Sequence, residues 1–402
     1  MRRLTVVQLL PALHSGGVER STLEIADALV RAGHRALVVS AGGRLVPRLE
    51  ASGAEHIALD IGRKSPSTLL RIARLRRVLV DVGADIVHAR SRLPAWIGRF
   101  ALNGLPLAQR PRFVTTVHGL NSPSRYSAIM ARGERTICVS ETVREYVLRH
   151  YPDTDPARLR VIPRGIDPAA FPRAASPDPA ARARAVARHP ELGGDGPLLL
   201  LPGRGTRLKG HADALAVLKA LRDDGVDARL WMPGAREPGR ERYVAELEAE
   251  ARAMGVADAL AMTDVTDAIA EAYAASDLVL QLSRKPESFG RTVIEALSVG
   301  RPVVGWAHGG VGELLRELYP AGAVPPFDVA ALAQTVRAVV ATAALDDARV
   351  SAGDRDGGDG DDGRLSARLP ATMPERLRRY RLDSMQHATL ACYEDLMSTP
   401  RA

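Results

Sequence analysis

Short apolar runs alternate with stretches of helical periodicity along most of the chain. In the first half, the runs that predict strands are residues 4–10, 36–40, 85–88, 113–117 and 136–139. Between them, apolar residues recur every three or four positions in two stretches that predict helices, residues 18–32 and 68–82. Strands that alternate with helices are typical of βαβ units, which build a parallel sheet. The first half is therefore predicted to form one doubly wound α/β domain.

The same alternation begins again after residue 197. The predicted strands of this second series are residues 198–201, 229–232, 278–282 and 302–305. The predicted helices between them are residues 211–222, 242–254 and 268–275. The sequence thus predicts two parallel α/β domains, an N-terminal one at residues 1–171 and a C-terminal one at residues 197–345.

Three segments differ in composition from the two predicted domains. Residues 172–196 are rich in Pro, Ala, Arg and Gly, which predicts a linker that encloses one short helix. Residues 346–372 include the run GDRDGGDGDDG and have few apolar side chains, so we expect a disordered insertion. The spacing of an EF-hand calcium loop is not met there. Residues 373–402 regain helical character and are predicted to close the chain as a helix.

Composition narrows the class of protein. The chain has 402 residues, of which 46% are hydrophobic and 25% are charged, and these values exclude collagen-like, wholly disordered and disulfide-scaffold classes. It has no run of eighteen apolar residues, and the apolar run 4–10 is too short for a transmembrane helix and poor as a signal peptide. We therefore expect a cytosolic protein. The chain has two cysteines, Cys138 and Cys392, and in a reducing compartment we expect both to stay unpaired as small hydrophobic residues.

Positive charge is concentrated in the first half. Residues 1–170 carry 26 Lys and Arg against 14 Asp and Glu, whereas the whole chain has a net charge of +8. This excess predicts an anionic partner for the N-terminal domain. Within it, the predicted helix 68–82 combines apolar residues with four arginines, Arg71, Arg74, Arg76 and Arg77. Such a helix can lie on an anionic membrane or bind a phosphorylated glycolipid, and an ordinary surface helix is the alternative.

The ends of the predicted strands carry the candidate chemistry, because doubly wound sheets bind ligands at the carboxyl ends of their strands. Residues 202–210, PGRGTRLKG, place three glycines and three cations directly before a helix, which suits a phosphate group. A solvated basic turn is the alternative. The segment has no GxxxxGK[ST] motif, and Leu208 stands where a dinucleotide fingerprint needs its third glycine. The sequence therefore disfavours a P-loop NTPase and an ordinary NAD enzyme.

A second motif, PESFGRTVIEA at residues 286–296, follows the predicted strand 278–282. If a helix begins at Gly290, Glu287 lies in the preceding loop and Glu295 in the second turn. One carboxylate can then face a sugar while the other accepts hydrogen bonds from a ribose. A glycosidase with paired carboxylates is the alternative, but one loop and one helix do not establish the geometry that it requires.

These motifs, together with Gly16-Gly17 after the first strand and His118 after a later one, resemble the retaining GT-B glycosyltransferases of family 4, the glycogen synthase and lipopolysaccharide-core type. The resemblance covers residues 4–345 and the terminal helix. It implies an α/β protein with two Rossmann-like doubly wound domains that face each other across a cleft. The acceptor would bind the N-terminal domain, the nucleotide sugar would bind the C-terminal domain, and the last helix would cross back to the first domain.

The resemblance also implies roles for individual residues. Arg204 and Lys209 would hold the diphosphate of the donor, Glu287 would contact the transferred sugar, and His118 would lie near the reacting sugar. The resemblance assigns further residues to the nucleotide sugar. Gly16 and Gly17 would lie at a helix start near the phosphates, and Glu295 would bind the ribose. The backbone amides of Ser288, Phe289 and Gly290 would donate hydrogen bonds.

The implied reaction uses a UDP- or GDP-linked sugar, rather than an ADP-linked one, as donor substrate and needs no cofactor. We expect no metal requirement, since the Asp-x-Asp clusters lie in the predicted insertion. Residues 87–92 and 130–135 resemble a branch found in bacterial cell-envelope loci, so the expected acceptor is an anionic saccharide or glycolipid at the inner face of the cytoplasmic membrane. No nucleic-acid partner is expected. A nucleotide-sugar epimerase or hydrolase and a noncatalytic nucleotide-sugar binding protein remain as alternatives.

Overall fold

The computed structural model describes residues 2–14, 16–351 and 369–401. The chain divides into two compact units. Unit 1 comprises Met1–Gly165 together with Arg379–Ala402, and unit 2 comprises Ile166–Arg378. The C-terminal segment thus belongs to the same unit as the N-terminal half.

Unit 1 is built on a parallel sheet of seven strands. They are β1 (Thr5–Leu9), β2 (Arg35–Ser40), β3 (Glu55–Ala58), β4 (Ile86–Ala89), β5 (Arg112–Val117), β6 (Arg135–Cys138) and β7 (Leu159–Val161). The strand order is β3-β2-β1-β4-β5-β6-β7, and every described pairing is parallel. The direction of strand addition reverses between β1 and β4, so the predicted doubly wound topology is confirmed.

Unit 2 has a second parallel sheet. Its strands are β8 (Leu198–Leu200), β9 (Arg229–Pro233), β10 (Leu260–Thr263), β11 (Leu278–Gln281), β12 (Val303–Trp306) and β13 (Ala323–Val324). Their order is β10-β9-β8-β11-β12-β13. The reversal lies between β8 and β11, and both units are therefore Rossmann-like α/β layers.

Helices flank both sheets and are numbered along the chain. Those of unit 1 are α1 (Gly17–Arg31), α2 (Val46–Ala51), α3 (Arg71–Asp81), α4 (Arg92–Asn103), α5 (Glu141–His150) and α14 (Leu382–Ser398). Those of unit 2 are α6 (Pro179–Arg188), α7 (His211–Asp223), α8 (Glu241–Ala253), α9 (Ile269–Ala275), α10 (Arg291–Val299), α11 (Gly309–Leu318), α12 (Val329–Ser351) and α13 (Met373–Arg376). The predicted helix 68–82 begins as a 3₁₀ turn, Pro66–Leu70, before α3.

The terminal helix α14 completes the core of unit 1. Its residues Met385, Tyr393 and Leu396 are buried in the apolar cluster that also contains side chains of α1 and β1. The buried Arg112 of β5 donates hydrogen bonds of 2.7 Å to the carbonyls of Leu396 and Thr399. Apolar burial and hydrogen bonds at the helix C-terminus thus hold α14 on unit 1.

The predicted linker, residues 172–196, is part of unit 2. The helix expected there is present as α6, and it packs on α9. Arg182 of α6 forms an ion pair of 2.9 Å with Asp277. The two units divide after Gly165, and Phe171 of unit 2 packs against Tyr273, with ring centroids 6.1 Å apart.

Helix α12 extends to Ser351 and so includes the first residues of the predicted insertion 346–372. Residues 352–368, which include the run GDRDGGDGDDG, lie outside the described residues. Cys138 and Cys392 are buried and unpaired, as predicted, and burial raises the pKa of their thiols to about 12 and about 11. Among the helices of the described residues, none combines the length and apolarity needed to cross a bilayer.

Candidate functional site

The two predicted donor motifs of unit 2 flank the point where its strand order reverses. The loop of residues 201–210 leaves β8, and the loop of residues 282–290 leaves the neighbouring strand β11. Two backbone features hold these loops together. The amide of Arg284 donates to the carbonyl of Leu208 at 2.8 Å. Gly210 has a φ of 76°, and a Cβ at this position would meet the carbonyl oxygen of Leu282 at 2.2 Å, so only glycine fits.

Lys209 and Glu287 meet between these loops. Lys209 Nζ donates to Glu287 Oε1 at 2.6 Å, and the two side chains are 29% and 26% exposed. The hydroxyl of Ser283 lies 2.5 Å from the same carboxylate oxygen and 3.4 Å from Lys209 Nζ. The predicted diphosphate cation and the predicted sugar carboxylate are therefore in direct contact.

This contact sets the charge of Glu287. Burial alone would raise the pKa of the carboxyl group, but the Lys209 ammonium and the hydrogen bonds from Lys209 and Ser283 outweigh burial and hold the pKa below its ordinary value. Glu287 is therefore an anion at neutral pH, and Lys209 is the group that does most to lower its pKa.

A glycine pair that sequence reasoning missed positions the backbone of Glu287. Gly309 and Gly310 begin α11, and the amide of Gly310 donates to the carbonyl of Glu287 at 2.8 Å. A Cβ on Gly309 would meet that carbonyl oxygen at 2.7 Å, and a Cβ on Gly310 would meet the backbone of Phe289 at 2.5 Å. The adjacent glycines after β12 were a signal in the sequence, but their partner was not evident from it.

Glu295 lies in α10, which begins directly after Gly290 as predicted. Its carboxylate is buried, accepts a hydrogen bond of 3.1 Å from the hydroxyl of Tyr273 and lies 3.3 Å from Arg291 Nε. Burial and the charge of Glu295 raise the pKa of Tyr273 well above its ordinary value, so this hydroxyl stays protonated and donates. Within unit 2, Tyr273 and Arg291 are thus described partners of Glu295, and the resemblance assigns it the ribose as well.

Arg204 differs from Lys209 in its surroundings. Its side chain is exposed, and none of the carboxylates that the structure describes lies within ion-pair distance of it. Arg207 of the same loop pairs instead with Glu246. Arg204 is therefore the cation of this loop that is neither buried nor neutralised by a described side chain.

In unit 1, His118 contacts an arginine that the sequence analysis did not assign to the site. A nitrogen of the Arg164 guanidinium, Nη2, is hydrogen-bonded to Nδ1 of His118. Burial, Arg164 and Arg90 hold the pKa of His118 well below its ordinary value, so the ring is neutral. Because a guanidinium only donates, Nδ1 accepts, and the proton of the neutral ring lies on Nε2. His118 can therefore donate a hydrogen bond from Nε2.

The predicted glycine pair lies at the start of α1. Gly16 is the residue before the helix, with a φ of 134°, and a Cβ there would meet Glu19 Oε2 at 2.6 Å. Gly17 is exposed, and a Cβ at this position would meet nothing within 4 Å. Within unit 1, the backbone geometry thus requires glycine at position 16 and leaves open space at position 17.

Sequence comparisons identify the family. Residues 15–170 match the profile described as Glycosyltransferase Family 4, and residues 185–354 match the profile described as Glycosyl transferases group 1. The two matched segments together make up most of the chain, and both profiles describe glycosyltransferases, so the chain belongs to the glycosyltransferases. The order of the two matched segments is that of unit 1 and unit 2.

Known relatives and solved structures agree with this family. The glycosyltransferase is 30% identical over 267 residues to a D-inositol 3-phosphate glycosyltransferase of Xylanimonas cellulosilytica, an alignment that covers 66% of this chain and 58% of the relative. The chain thus spans less than two thirds of the length of that curated relative. A glycosyltransferase of Rickettsia africae has 26% identity and a TM-score of 0.82, with both chains fully covered. The Anabaena protein HepE, solved with UDP and glucose, has 19% identity and a TM-score of 0.75 over 98% of this chain and 100% of its own.

The solved structures share the GT-B fold, so the expected fold class is confirmed for this glycosyltransferase. Of the residues predicted for its donor site, Lys209, Glu287 and Ser288 lie at neighbouring strand ends of unit 2, whereas His118 lies at a strand end of unit 1.

Proposed function

We propose that this glycosyltransferase moves a hexosyl sugar, with retained configuration, from a nucleoside diphosphate sugar to a saccharide of the cell envelope. The observation that carries the proposal is the arrangement in unit 2 of Lys209, Glu287 and Arg204. Two cations and one ionised carboxylate lie on two neighbouring loops, one of them glycine-rich, at the point where the strand order reverses. Doubly wound sheets bind their ligands at this point.

The proposed chemistry follows from the charge that develops in the reaction. The bond between C1 of the sugar and the phosphate oxygen breaks, and the nucleoside diphosphate leaves with additional negative charge. Arg204 and Lys209 stabilise that charge. The acceptor oxygen attacks C1 on the same face, and its proton passes to the leaving phosphate. This route needs no protein nucleophile and no metal, because the two cations supply the positive charge.

Two further residues have a role in this proposal. In unit 2, the anionic Glu287 accepts hydrogen bonds from hydroxyls of the transferred sugar and stabilises oxocarbenium-like charge at C1. In unit 1, His118 acts as a hydrogen-bond donor from Nε2 to a sugar hydroxyl. Neither residue forms a covalent intermediate, since the incoming acceptor bonds directly to C1.

The proposed acceptor is lipopolysaccharide core or a related glycolipid. Its support is the excess of Lys and Arg in residues 1–170. A small cyclitol phosphate is a second candidate, because several relatives are D-inositol 3-phosphate glycosyltransferases. A UDP- or GDP-linked sugar is the proposed donor.

The test is an incubation of the full chain with radiolabelled UDP-glucose or GDP-mannose in three arms, containing lipopolysaccharide core, D-inositol 3-phosphate or no acceptor. Label in the core fraction is the expected result. Label in the inositol phosphate would indicate that the acceptor is the cyclitol phosphate and not lipopolysaccharide core. An epimer or free sugar in the arm without acceptor indicates an epimerase or hydrolase, and donor binding without turnover in any arm indicates a binding protein.

We also propose that α3 of unit 1 contacts an anionic membrane surface. Leu75 and Leu79 are buried, whereas the opposite face carries Arg74 and Arg77. Two apolar side chains accompany these arginines, Leu70 at 80% exposure and Val80 at 53%. Arg76 does not belong to this face, because its Nε donates to the carbonyl of Ala101.

Co-sedimentation with vesicles of anionic lipid tests the membrane contact. The Arg71/Arg74/Arg77→Glu variant is expected to bind less than the wild type at low salt, since cations near an anionic surface contribute about 1 kcal/mol each. Arg149→Glu, an exposed change on α5, serves as the control. Equal binding of wild type and triple variant at low and high salt contradicts the contact.

A further inference from the structure

Phe327 has a strained backbone conformation. Its φ is 69°, and among the residues that the structure describes it is the one residue other than glycine with a positive φ. A Cβ is disfavoured in this region, so glycine would adopt the same turn at lower energy. The side chain is also 45% exposed, so burial offsets little of the strain. What Phe327 provides beyond a turn is therefore found in the contacts of its ring.

The ring packs against residues that follow or end neighbouring strands of unit 2. Phe327 itself follows β13, and the guanidinium carbon of Arg284, after β11, lies 5.1 Å from the centroid of its ring. The imidazole of His308, after β12, meets the ring at 90° with centroids 5.5 Å apart. Trp306 at the end of β12 makes a similar edge contact at 6.0 Å. The strand order β11-β12-β13 thus brings these groups together at the carboxyl edge of the sheet.

Arg284 connects the ring to the loop that carries Lys209. Its amide donates to the carbonyl of Leu208, and its Nη1 donates to Asp213 Oδ1 at 2.7 Å. Asp213 lies in the first turn of α7, directly after that loop, and its side chain is 6% exposed. A guanidinium that stacks on an aromatic ring and pairs with a carboxylate has a fixed orientation. Arg284 therefore fixes the loop of residues 201–210 relative to the loop of residues 282–290.

His308 connects the ring to the loop that carries Glu287. Its Nε2 lies 2.7 Å from the carbonyl oxygen of Ser283, and because a carbonyl only accepts, Nε2 donates. The hydroxyl of the same Ser283 lies 2.5 Å from the carboxylate of Glu287. His308 also directly precedes Gly309 and Gly310, whose backbone packs on the backbone of Glu287 and its neighbours. The ring thus contacts both side chains that hold the loop of residues 282–290.

We propose that Phe327 is a positioning residue of the donor site, which acts through Arg284 and His308 to hold Glu287 against Lys209. The word donor rests on the proposed function, whereas the effect of the ring on the contact between Glu287 and Lys209 does not. A displacement of about 1 Å in a reacting group can lower a rate by about 100-fold. Loss of the ring therefore reaches the reaction without unfolding unit 2.

Glycine and alanine at position 327 separate the ring from the strain. Phe327→Gly removes both, whereas Phe327→Ala removes the ring and keeps a Cβ in the strained conformation. We expect the Tm to stay close to that of the wild type in Phe327→Gly and to fall in Phe327→Ala. In sugar transfer from UDP-glucose or GDP-mannose, we expect kcat to fall at least about tenfold in both variants, with a smaller change in the KM for the donor. Phe327→Tyr keeps the ring and is the matched control, with the kcat of the wild type.

The pKa of Glu287 tests the same contact without an enzymatic reaction. It is measured from the ¹³C chemical shifts of labelled glutamate carboxyl carbons between pH 3 and pH 8, with Glu287→Gln for the assignment. We expect a higher pKa in Phe327→Gly than in the wild type, because a looser loop lengthens the distance between Glu287 and Lys209. Phe327→Tyr is expected to keep the pKa of the wild type.

An unchanged pKa of Glu287 in Phe327→Gly overturns the proposal, and so does a kcat that follows the Tm across the three variants. A rise in the KM for the donor at constant kcat also overturns it, because the ring then binds the donor directly. If the wild type transfers no sugar to any acceptor, the proposed function fails, and the pKa of Glu287 still decides the role of Phe327.

Discussion

Replacement of Lys209 by methionine is expected to reverse the pKa shift of Glu287. In the wild type, burial favours the protonated carboxyl group, and the contact of 2.6 Å with Lys209 is the largest effect that opposes burial. Methionine keeps most of the side-chain length but has no charge. In Lys209→Met, burial acts with only the hydrogen bonds from Ser283 and Gln281 against it, and we expect the pKa of Glu287 to rise above its ordinary value.

The expected loss of stability follows from the burial of the pair. Both side chains are less than one third exposed, so the variant leaves a mostly buried carboxylate without its cation. This costs about 1–3 kcal/mol at neutral pH. For a domain of the size of unit 2, residues 166–378, each kcal/mol corresponds to about 2–4 °C in Tm. We therefore expect the Tm of unit 2 to fall by about 2 to 12 °C at pH 7.

The stability of the wild type and the stability of Lys209→Met are expected to depend on pH with opposite signs. In the wild type, the folded pKa of Glu287 is depressed, so its contribution to stability is present above the unfolded pKa of about 4.3 and is lost as the pH falls through the folded pKa. In Lys209→Met, the folded pKa is raised, so stability is lost as the pH rises through it. The difference in Tm between the two proteins is therefore expected to increase from pH 4 to pH 7.

The assay is thermal unfolding between pH 4 and pH 8, followed by tryptophan fluorescence, since Trp231 and Trp306 both belong to unit 2. Lys219→Met is the matched control, because Lys219 pairs with Asp223 on the exposed face of α7 and such pairs contribute little. Adding Glu287→Gln to Lys209→Met is expected to abolish the extra pH dependence. A difference in Tm that stays constant across this pH range refutes the reasoning.

Three other outcomes are expected. Arg204→Ala lowers kcat by about 100-fold or more. Its Tm does not change, since the side chain is exposed. Unchanged kinetics would remove Arg204 from the diphosphate contact. Glu295→Ala raises the KM for the donor, and it also lowers stability because the Tyr273 hydroxyl loses its acceptor. Glu287→Ala acts mainly on kcat. Equal kinetic losses at both glutamates would argue against separate roles. Activity survives EDTA, and a loss that magnesium or manganese restores would contradict the metal-free route.

The sequence predicted the central strands of both sheets and missed the edges. The four strands that it did not predict are β3, β7, β10 and β13, which are the two edge strands of each sheet. A central strand of a parallel sheet is covered on both faces, so its sequence is a run of apolar residues, as in the fully buried β8. An edge strand such as β3 has exposed residues at both ends, so its sequence has no such run.

The site was predicted in its parts but not in its contacts. Glycines, cations and carboxylates at strand ends are visible in the sequence, and this is why Lys209 and Glu287 were found. Their ion pair depends on β8 and β11 being neighbours, which follows from the strand order. Arg164 was missed because it follows an edge strand and reaches His118 across the sheet.

The most direct test of the central claim is the Tm of wild type and Lys209→Met with UDP-, GDP- and ADP-glucose. A ligand at about 100 times its Kd adds about 2.7 kcal/mol of stability, which corresponds to about 5 to 11 °C for a unit of this size. We expect a shift of this order with a UDP- or GDP-linked sugar in the wild type and a much smaller shift in Lys209→Met. No shift with any of the three sugars, or equal shifts in the two proteins, would contradict it.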